Sequence, residues 1–366
     1  MRVGFVIDSC VPSMENVLGF RCSPRVLVSG WPSGSSVATM RFGWIADAVS
    51  GNGQVRYELY RPSRTYDCVV FLKSMGPQSL ALARKLKSRG VTTVFDCNVD
   101  YVTPASGTFY FDGMAPTVAQ REDALQMLET CDSVIADSSH IAGVLSNKGA
   151  TVHWVPDNVL DAMIGRRAKG PFDEHGRLVL AWSGEAVKLF ELLAIREVLE
   201  SFGDRVVLRM ITNSRDALSR WTGDLAEQFE DMLRVVPHEY IPFTTLSDLL
   251  DVYARGGVAI SPRFLDNTYN LGHTEWKLTL PMSVGLVALG SPQPSYVDVE
   301  KRCQAGGLRV CETAEDWSGA FQQIIDDSCD LSAASQDAVD VVTGFYSTSV
   351  VAKQHQDFLM ATGATS

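Results

Sequence analysis

Short apolar runs alternate along this chain with longer stretches in which apolar positions recur every three to four residues. The first pattern predicts buried strands and the second predicts amphipathic helices. In the first half, strands are expected at 2–7, 25–29, 55–59, 67–72, 91–95, 132–136 and 151–155. Helices are expected at 37–49, 78–89, 117–130 and 138–147. One repeat reads plainly: Tyr66-Asp67-Cys68-Val69-Val70-Phe71, a helix, then Gly90-Val91-Thr92-Thr93-Val94-Phe95-Asp96. Gly90 fits the left-handed residue that ends a helix. The strands are almost free of charge, as in a parallel sheet covered on both faces.

The pattern breaks around 160–176, where Arg166-Arg167-Ala168-Lys169-Gly170-Pro171 has the composition of a linker. Pro171 prevents a helix from continuing. A second series then starts with Leu178-Val179-Leu180-Ala181-Trp182. Its strands fall at 178–182, 205–211, 238–241, 257–260 and 286–289. Its helices fall at 186–202, 222–234, 245–254, 275–284 and 294–304, with 315–327 and 332–361 closing the chain. Alternating strands and helices in two series imply an α/β protein with two Rossmann-like, doubly wound domains. The expected division is 1–160, 161–342 and a terminal helix at 343–366. Ligands of such sheets bind beyond the carboxyl ends of the strands.

Composition narrows the class. The 366 residues exceed one ordinary core, and 46% hydrophobic with 20% charged residues is the balance of a globular enzyme. No apolar run is long enough to cross a bilayer, and Met1–Asp8 reads as a first strand rather than a signal peptide. Eight scattered cysteines without a Cys-x-x-Cys pair point to reduced thiols in a cytoplasmic protein, with no metal site. A net charge of −11 argues against a nucleic-acid polymer as partner. The charge is uneven: residues 1–155 carry 14 Lys+Arg against 13 Asp+Glu, and the remainder carries 18 against 30. The less acidic half includes Arg84, Lys85, Lys87 and Arg89. They read either as a solvated helix face or as a peripheral contact of the N-terminal domain with an anionic membrane or acceptor.

Neither a Gly-x-Gly-x-x-Gly turn, a P-loop nor a His-Glu-x-x-His helix is present. Gly30-Trp31-Pro32-Ser33-Gly34-Ser35-Ser36 is either an anion-holding turn or a plain surface turn. Trp182-Ser183-Gly184-Glu185-Ala186-Val187-Lys188 follows the first strand of the second series. There Gly184 lets backbone approach a ligand, and Lys188 is placed to neutralise a phosphate. The most informative stretch runs from Ser261 to Lys277. It is a long polar loop that brings Asn270, His273, Glu275 and Lys277 toward one helix start. In the first half, Asp96 and Asp100 follow a strand, and either orients or deprotonates an acceptor hydroxyl or caps a loop. Arg41 and Lys73 are lesser candidates for contacting an anion.

Four features resemble GT-B glycosyltransferases, in particular glycosyltransferase family 4. They are Cys131-Asp132-Ser133-Val134-Ile135-Ala136-Asp137-Ser138 leading to Val155-Pro156-Asp157-Asn158-Val159, and the Trp182–Lys188 turn. The others are Lys277-x-x-Leu280-Pro281-Met282-Ser283-Val284-Gly285 with Ser291-Pro292, and the close from Ala314-Glu315-Asp316-Trp317 into a long helix. The family's glutamates, which commonly hold donor ribose and sugar, fall here on Leu280 and Gly272, and its turn arginine is absent. The resemblance implies two domains facing a cleft, with the last helix returning to the first domain. It implies transfer of a sugar from a nucleotide-activated donor to a hydroxyl of a glycan, glycolipid or small acceptor, without metal or bound cofactor. Asp100 and Glu275 would serve catalysis, and Gly184, Lys188, Asn270, His273 and Lys277 would bind the donor. A nucleotide-sugar 2-epimerase and a non-catalytic sugar- or nucleotide-binding homologue are the alternatives.

Overall fold

The computed structural model describes residues 1–7, 38–50, 55–212, 215–243 and 245–363. The expected strand at 25–29 and the Gly30–Ser36 turn lie outside these residues. The chain divides into two compact units.

The first unit comprises Met1–Ala105, Pro116–Asp161 and Phe345–Ser366. Its strands are β1 (Arg2–Ile7), β2 (Arg56–Leu59), β3 (Cys68–Leu72), β4 (Thr92–Cys97), β5 (Ser133–Ala136) and β6 (Val152–Trp154). They form one parallel sheet in the order β2-β1-β3-β4-β5-β6. Alternation along each strand sends side chains to two separate cores. Val70 and Leu72 join Val3, Phe5 and Ile7 on one face, under the helices Ile45–Val49 and Thr348–Gly363. Val69 and Phe71 join Phe95 on the other, under the helices Pro77–Lys87 and Val118–Thr130. Gly90 takes the left-handed φ of +74° beyond the first of these helices. Thr117 and Gln120 form a reciprocal capping box at the start of the second.

The terminal stretch expected as one helix at 332–361 is two helices, Leu331–Val341 and Thr348–Gly363, separated by a π-helical turn at Val342–Tyr346. A parallel bridge between Val159 and Ser347 ties the break to the first unit. Val351, Ala352 and Leu359 of the last helix are buried in its core.

The second unit comprises Ser106–Ala115 and Ala162–Gly344. Its strands are β7 (Leu178–Gly184), β8 (Val206–Thr212), β9 (His238–Pro242), β10 (Val258–Ser261), β11 (Ala288–Gly290) and β12 (Leu308–Val310). They order as β12-β11-β10-β7-β8-β9, all parallel. Strand order reverses between β7 and β10, which makes their carboxyl ends the switch point of this sheet.

Two features depart from the pattern-based reading. The segment 106–115 belongs to the second unit although the residues on both sides of it belong to the first. Its Phe111 and Met114 are buried against Val187 and Phe190, which fixes it there. Residues 186–202, expected as one α-helix, are a ten-residue 3₁₀-helix, Ala186–Ile195, followed by an α-helix at Arg196–Phe202. The reason is a period of three. Ala186, Leu189, Leu192 and Ile195 all enter the main core of the unit, and residues three apart eclipse only in a 3₁₀-helix.

Candidate functional site

Two segments leave the switch point side by side: Gly184 into the 3₁₀-helix after β7, and Arg263 into the polar loop after β10. The threefold period gives the 3₁₀-helix three rows. One row is the core row just described. Val187 and Phe190 form a second, packed on Phe111 and Met114. Lys188 and Glu191 form the third, and this row carries the charge.

Glu191 is fully buried and is gripped by two cations. Arg263 donates from Nη1 to Glu191 Oε1. Lys277 Nζ donates to Oε2 at 3.0 Å. Lys277 also lies over the Trp182 ring, 4.5 Å from its centroid. Lys188 Nζ stands 3.2 Å from His273 Nε2 and 5.3 Å from the centre of the Tyr269 ring, which meets His273 edge to face. Gly184, at φ +154°, lies directly under Lys277.

Two cations are therefore paired with one carboxylate, and Lys188 adds a third positive charge to its surroundings. Burial by itself would raise the Glu191 carboxyl, but Arg263, Lys277 and Lys188 outweigh it and hold the group below its ordinary value. Burial also pushes the Lys277 ammonium down to about 7, with Arg263 and Lys188 adding to the effect and Glu191 opposing it. Arg263, Lys277 and Lys188 set against the one carboxylate of Glu191 leave the site with more positive charge than that carboxylate balances. A dianion such as a diphosphate complements that surplus.

The surrounding loop is built to hold these groups. Asn267 Oδ1 accepts from the Asn270 amide at 2.8 Å and caps the short helix Thr268–Leu271. Asn270 is buried, and its Nδ2 donates to the Phe264 carbonyl at 2.7 Å. The structure gives Asn270 a part in shaping the loop. The His273 carbonyl accepts from Gln293 Nε2 at 2.6 Å and from Ser295 Oγ at 2.8 Å. Glu275 is buried at the start of the helix Trp276–Met282, where its carbonyl accepts from the Leu278 and Thr279 amides. Leu280, at a position where the resemblance expects a glutamate, is buried among apolar side chains.

Of the donor-side residues read from sequence, Gly184 and Lys277 meet over Trp182, and Lys188 meets His273. Glu191 and Arg263, the pair at the centre, were not singled out. Glu191 carried a signal, since it is a charged residue three positions after Lys188 in an apolar run of period three.

In the first unit, Asp100 Oδ1 accepts from the Val102 and Thr103 amides at 3.1 and 2.9 Å, so its carboxylate closes a turn after β4. Asp96 and Arg41 form a buried ion pair, with Arg41 Nε 3.1 Å from both carboxylate oxygens. Arg41 Nη1 donates to the Val155 carbonyl at 3.0 Å and to Asp157 Oδ1 at 3.2 Å. Burial, reinforced by Asp157, raises the nearby Asp137 carboxyl well above its ordinary value. Lys73 is exposed at the end of β3 with a left-handed φ of +54°. On the basic helix, Lys87 is engaged with Asp132 at 2.9 Å, and Arg84 and Lys85 are exposed.

No protein-family model and no curated protein sequence matches the chain. Solved structures do. A sucrose-phosphate synthase from Thermosynechococcus elongatus superposes with a TM-score of 0.66 at 12% identity, over 100% of both chains. A glycosyltransferase from Rickettsia africae gives 0.64 at 10% identity, over 100% of this chain and 99% of the other. Anabaena HepE, solved with UDP and glucose, gives 0.60 at 9% identity over 98% and 99%. The fold is that of the GT-B glycosyltransferases, two parallel α/β units over the full length of the chain.

Proposed function

We propose that the chain is a glycosyltransferase that moves a sugar from a nucleotide-activated donor to a hydroxyl of a glycan, lipid-linked or small acceptor. One observation carries this reading: Arg263 and Lys277 both pair with the single carboxylate of Glu191 at the switch point of the second sheet, and Lys188 precedes Glu191 by three residues on the same row of the 3₁₀-helix. Switch points of such sheets take ligands, and cations in excess there suit a leaving diphosphate. Lys277, lying over Gly184, would hold one phosphate, and Lys188 with His273 the other. Loss of the sugar leaves a full charge on the diphosphate, and fixed cations stabilise it as it develops. Burial strengthens that interaction, because little water competes for the charge.

Glu275 belongs to the same helix start as Lys277 and is the donor-side carboxylate proposed to face the sugar. Asp100 is the acceptor-side candidate of the first unit. The two amides on its Oδ1 hold the carboxylate in a fixed orientation, which suits a group that must orient a hydroxyl. The exposed Arg84 and Lys85 are proposed as a peripheral contact for an anionic membrane or acceptor. Family 4 is the finer assignment we favour within the fold, on the segment from Lys277 to Pro292. The epimerase alternative gains nothing from the sucrose-phosphate synthase and the Rickettsia glycosyltransferase, which are a synthase and a transferase by name.

The test is a thermal-shift screen against nucleotides and nucleotide sugars, starting with UDP-glucose because HepE was solved with it. A ligand at a hundred times its Kd adds about 2.7 kcal/mol of stability. Turnover assays with the best binder then use Lys277→Ala. Full turnover by that variant at an unchanged donor KM would sink the assignment. Donor binding without turnover by the intact chain would favour the non-catalytic reading.

A further inference from the structure

The segment Ser106–Ala115 leaves the first unit, docks on the second and returns. Its contacts fall on the loop after β10 and on the stretch at Trp221–Thr222. On one side the Thr268 amide donates to the Ser106 carbonyl at 3.2 Å. Gly107 lies so close to the loop that a Cβ there would stand 1.8 Å from the Asp266 carbonyl oxygen. On the other side the Thr222 amide donates to the Tyr110 carbonyl at 3.1 Å, and Phe111 bridges to Trp221.

Between these anchors, the Tyr110 ring stacks on Phe190 at 4.8 Å and on Phe264 at 4.7 Å. Phe190 immediately precedes Glu191, and Phe264 immediately follows Arg263. One ring therefore touches the chain neighbours of both partners in the central ion pair. Its hydroxyl also donates to Asp266 Oδ2 at 2.9 Å, farther along the same loop. Because Phe190 and Glu191 are consecutive residues of one 3₁₀-helix, a shift of the Phe190 row carries the adjacent row of Lys188 and Glu191 with it.

Resting on the reading of this cluster as the diphosphate site, we propose that Tyr110 is a positioning residue for it. The strap sets the separation between the 3₁₀-helix and the loop after β10. It thereby sets the distance at which Lys188, Arg263 and Lys277 meet a diphosphate. Tyr110 acts through Phe190 and Phe264 and touches none of the charged groups except through Asp266.

The experiment titrates the full chain with inorganic pyrophosphate by calorimetry and follows melting temperature in parallel. The wild-type chain is expected to bind, and Tyr110→Ala to bind at least tenfold more weakly. Tyr110→Phe, which keeps the stack and loses only the hydroxyl's bonds to Asp266 and Thr108, is expected to stay within about threefold of wild type. Gly107→Ala provides a second route, since its methyl must push the strap off Asp266 while leaving the Tyr110 ring intact. It too is expected to weaken binding tenfold, and it decides the matter if Tyr110→Ala does not fold. Wild-type affinity in Tyr110→Ala or Gly107→Ala, with only the melting temperature lowered, would overturn the proposal and leave the cluster reading standing. No pyrophosphate binding by the wild-type chain would instead remove the cluster reading on which it rests.

Discussion

Lys277 crowds the space that a side chain on residue 184 would need: a Cβ built there lies 3.1 Å from its Cε and 3.2 Å from its Nζ, so the lysine would have to give by a few tenths of an ångström. The lysine is held in that place by Glu191 on one side and the Trp182 ring on another. Gly184 thus leaves room for the lysine's position as well as allowing its own backbone.

Gly184→Ala should therefore displace the ammonium, and the positive φ of +154° adds strain. We expect nucleotide-diphosphate affinity to fall about tenfold, which is about 1.4 kcal/mol. Calorimetric titration of wild type and variant checks this. An unchanged affinity would show that Lys277 does not meet the ligand.

Binding should depend on pH through Lys277. Burial holds its ammonium at about 7 in the free protein, and a bound dianion favours the charged form. The bound pKa is therefore higher than the free one, and binding takes up a proton between the two values. Affinity is expected to be greatest below pH 7 and to decline as pH rises above it, at most tenfold per unit. Proton uptake is read by calorimetry in buffers of different ionisation enthalpy. Lys277→Met should flatten the profile.

Glu191→Gln removes the only carboxylate that the described residues place on both Arg263 and Lys277. Breaking a buried pair from one side leaves an uncompensated charge and costs about 3–5 kcal/mol. Denaturant unfolding should show that loss in the absence of ligand. Saturating pyrophosphate should restore part of it, because the added anion takes up the orphaned charge. A variant as stable as wild type would remove Glu191 from the centre of the cluster.

In the first unit the sign is reversed. Burial raises the Asp137 carboxyl well above its unfolded value, with Asp157 adding to it. The native state thus keeps a proton that the unfolded chain has lost, and this contribution weakens stability as pH rises above about 4. Asp137→Asn, which never ionises, should melt higher than wild type at pH 7 and equally at pH 4. Scanning calorimetry at the two pH values distinguishes this from a simple packing effect, which would appear at both.

The sheets were legible because their strands are short, apolar and free of charge, so Cys68–Leu72 and Leu178–Ala181 declare themselves. β12 was not, since three residues between Gly307 and Cys311 are too few for any period to register. The loop after β10 was legible as a candidate site from its length and polarity. Its partner across the switch point was half legible, with Lys188 read and Glu191 passed over inside a segment taken as an ordinary α-helix. A period of three rather than 3.6 in Ala186–Ile195 separates the two, and it is visible in the apolar positions alone. The Arg41 pairs join residues more than fifty positions apart, and no local pattern records such a distance. The strap was illegible for a similar reason: Tyr110 gains its meaning from Phe190 and Phe264, which lie far along the chain.

The covalent path passes from one unit to the other at 105/106, 115/116, 161/162 and 344/345. Neither half is thus a module that can be cut from the gene as one piece. A chimera joined only near residue 161 would pair its own Tyr110 strap with a foreign 3₁₀-helix and loop. It would also pair a foreign terminal helix with the sheet of the first unit. Exchange of the second unit between relatives requires that the ten residues of the strap travel with it and that the terminal helix stay with the first.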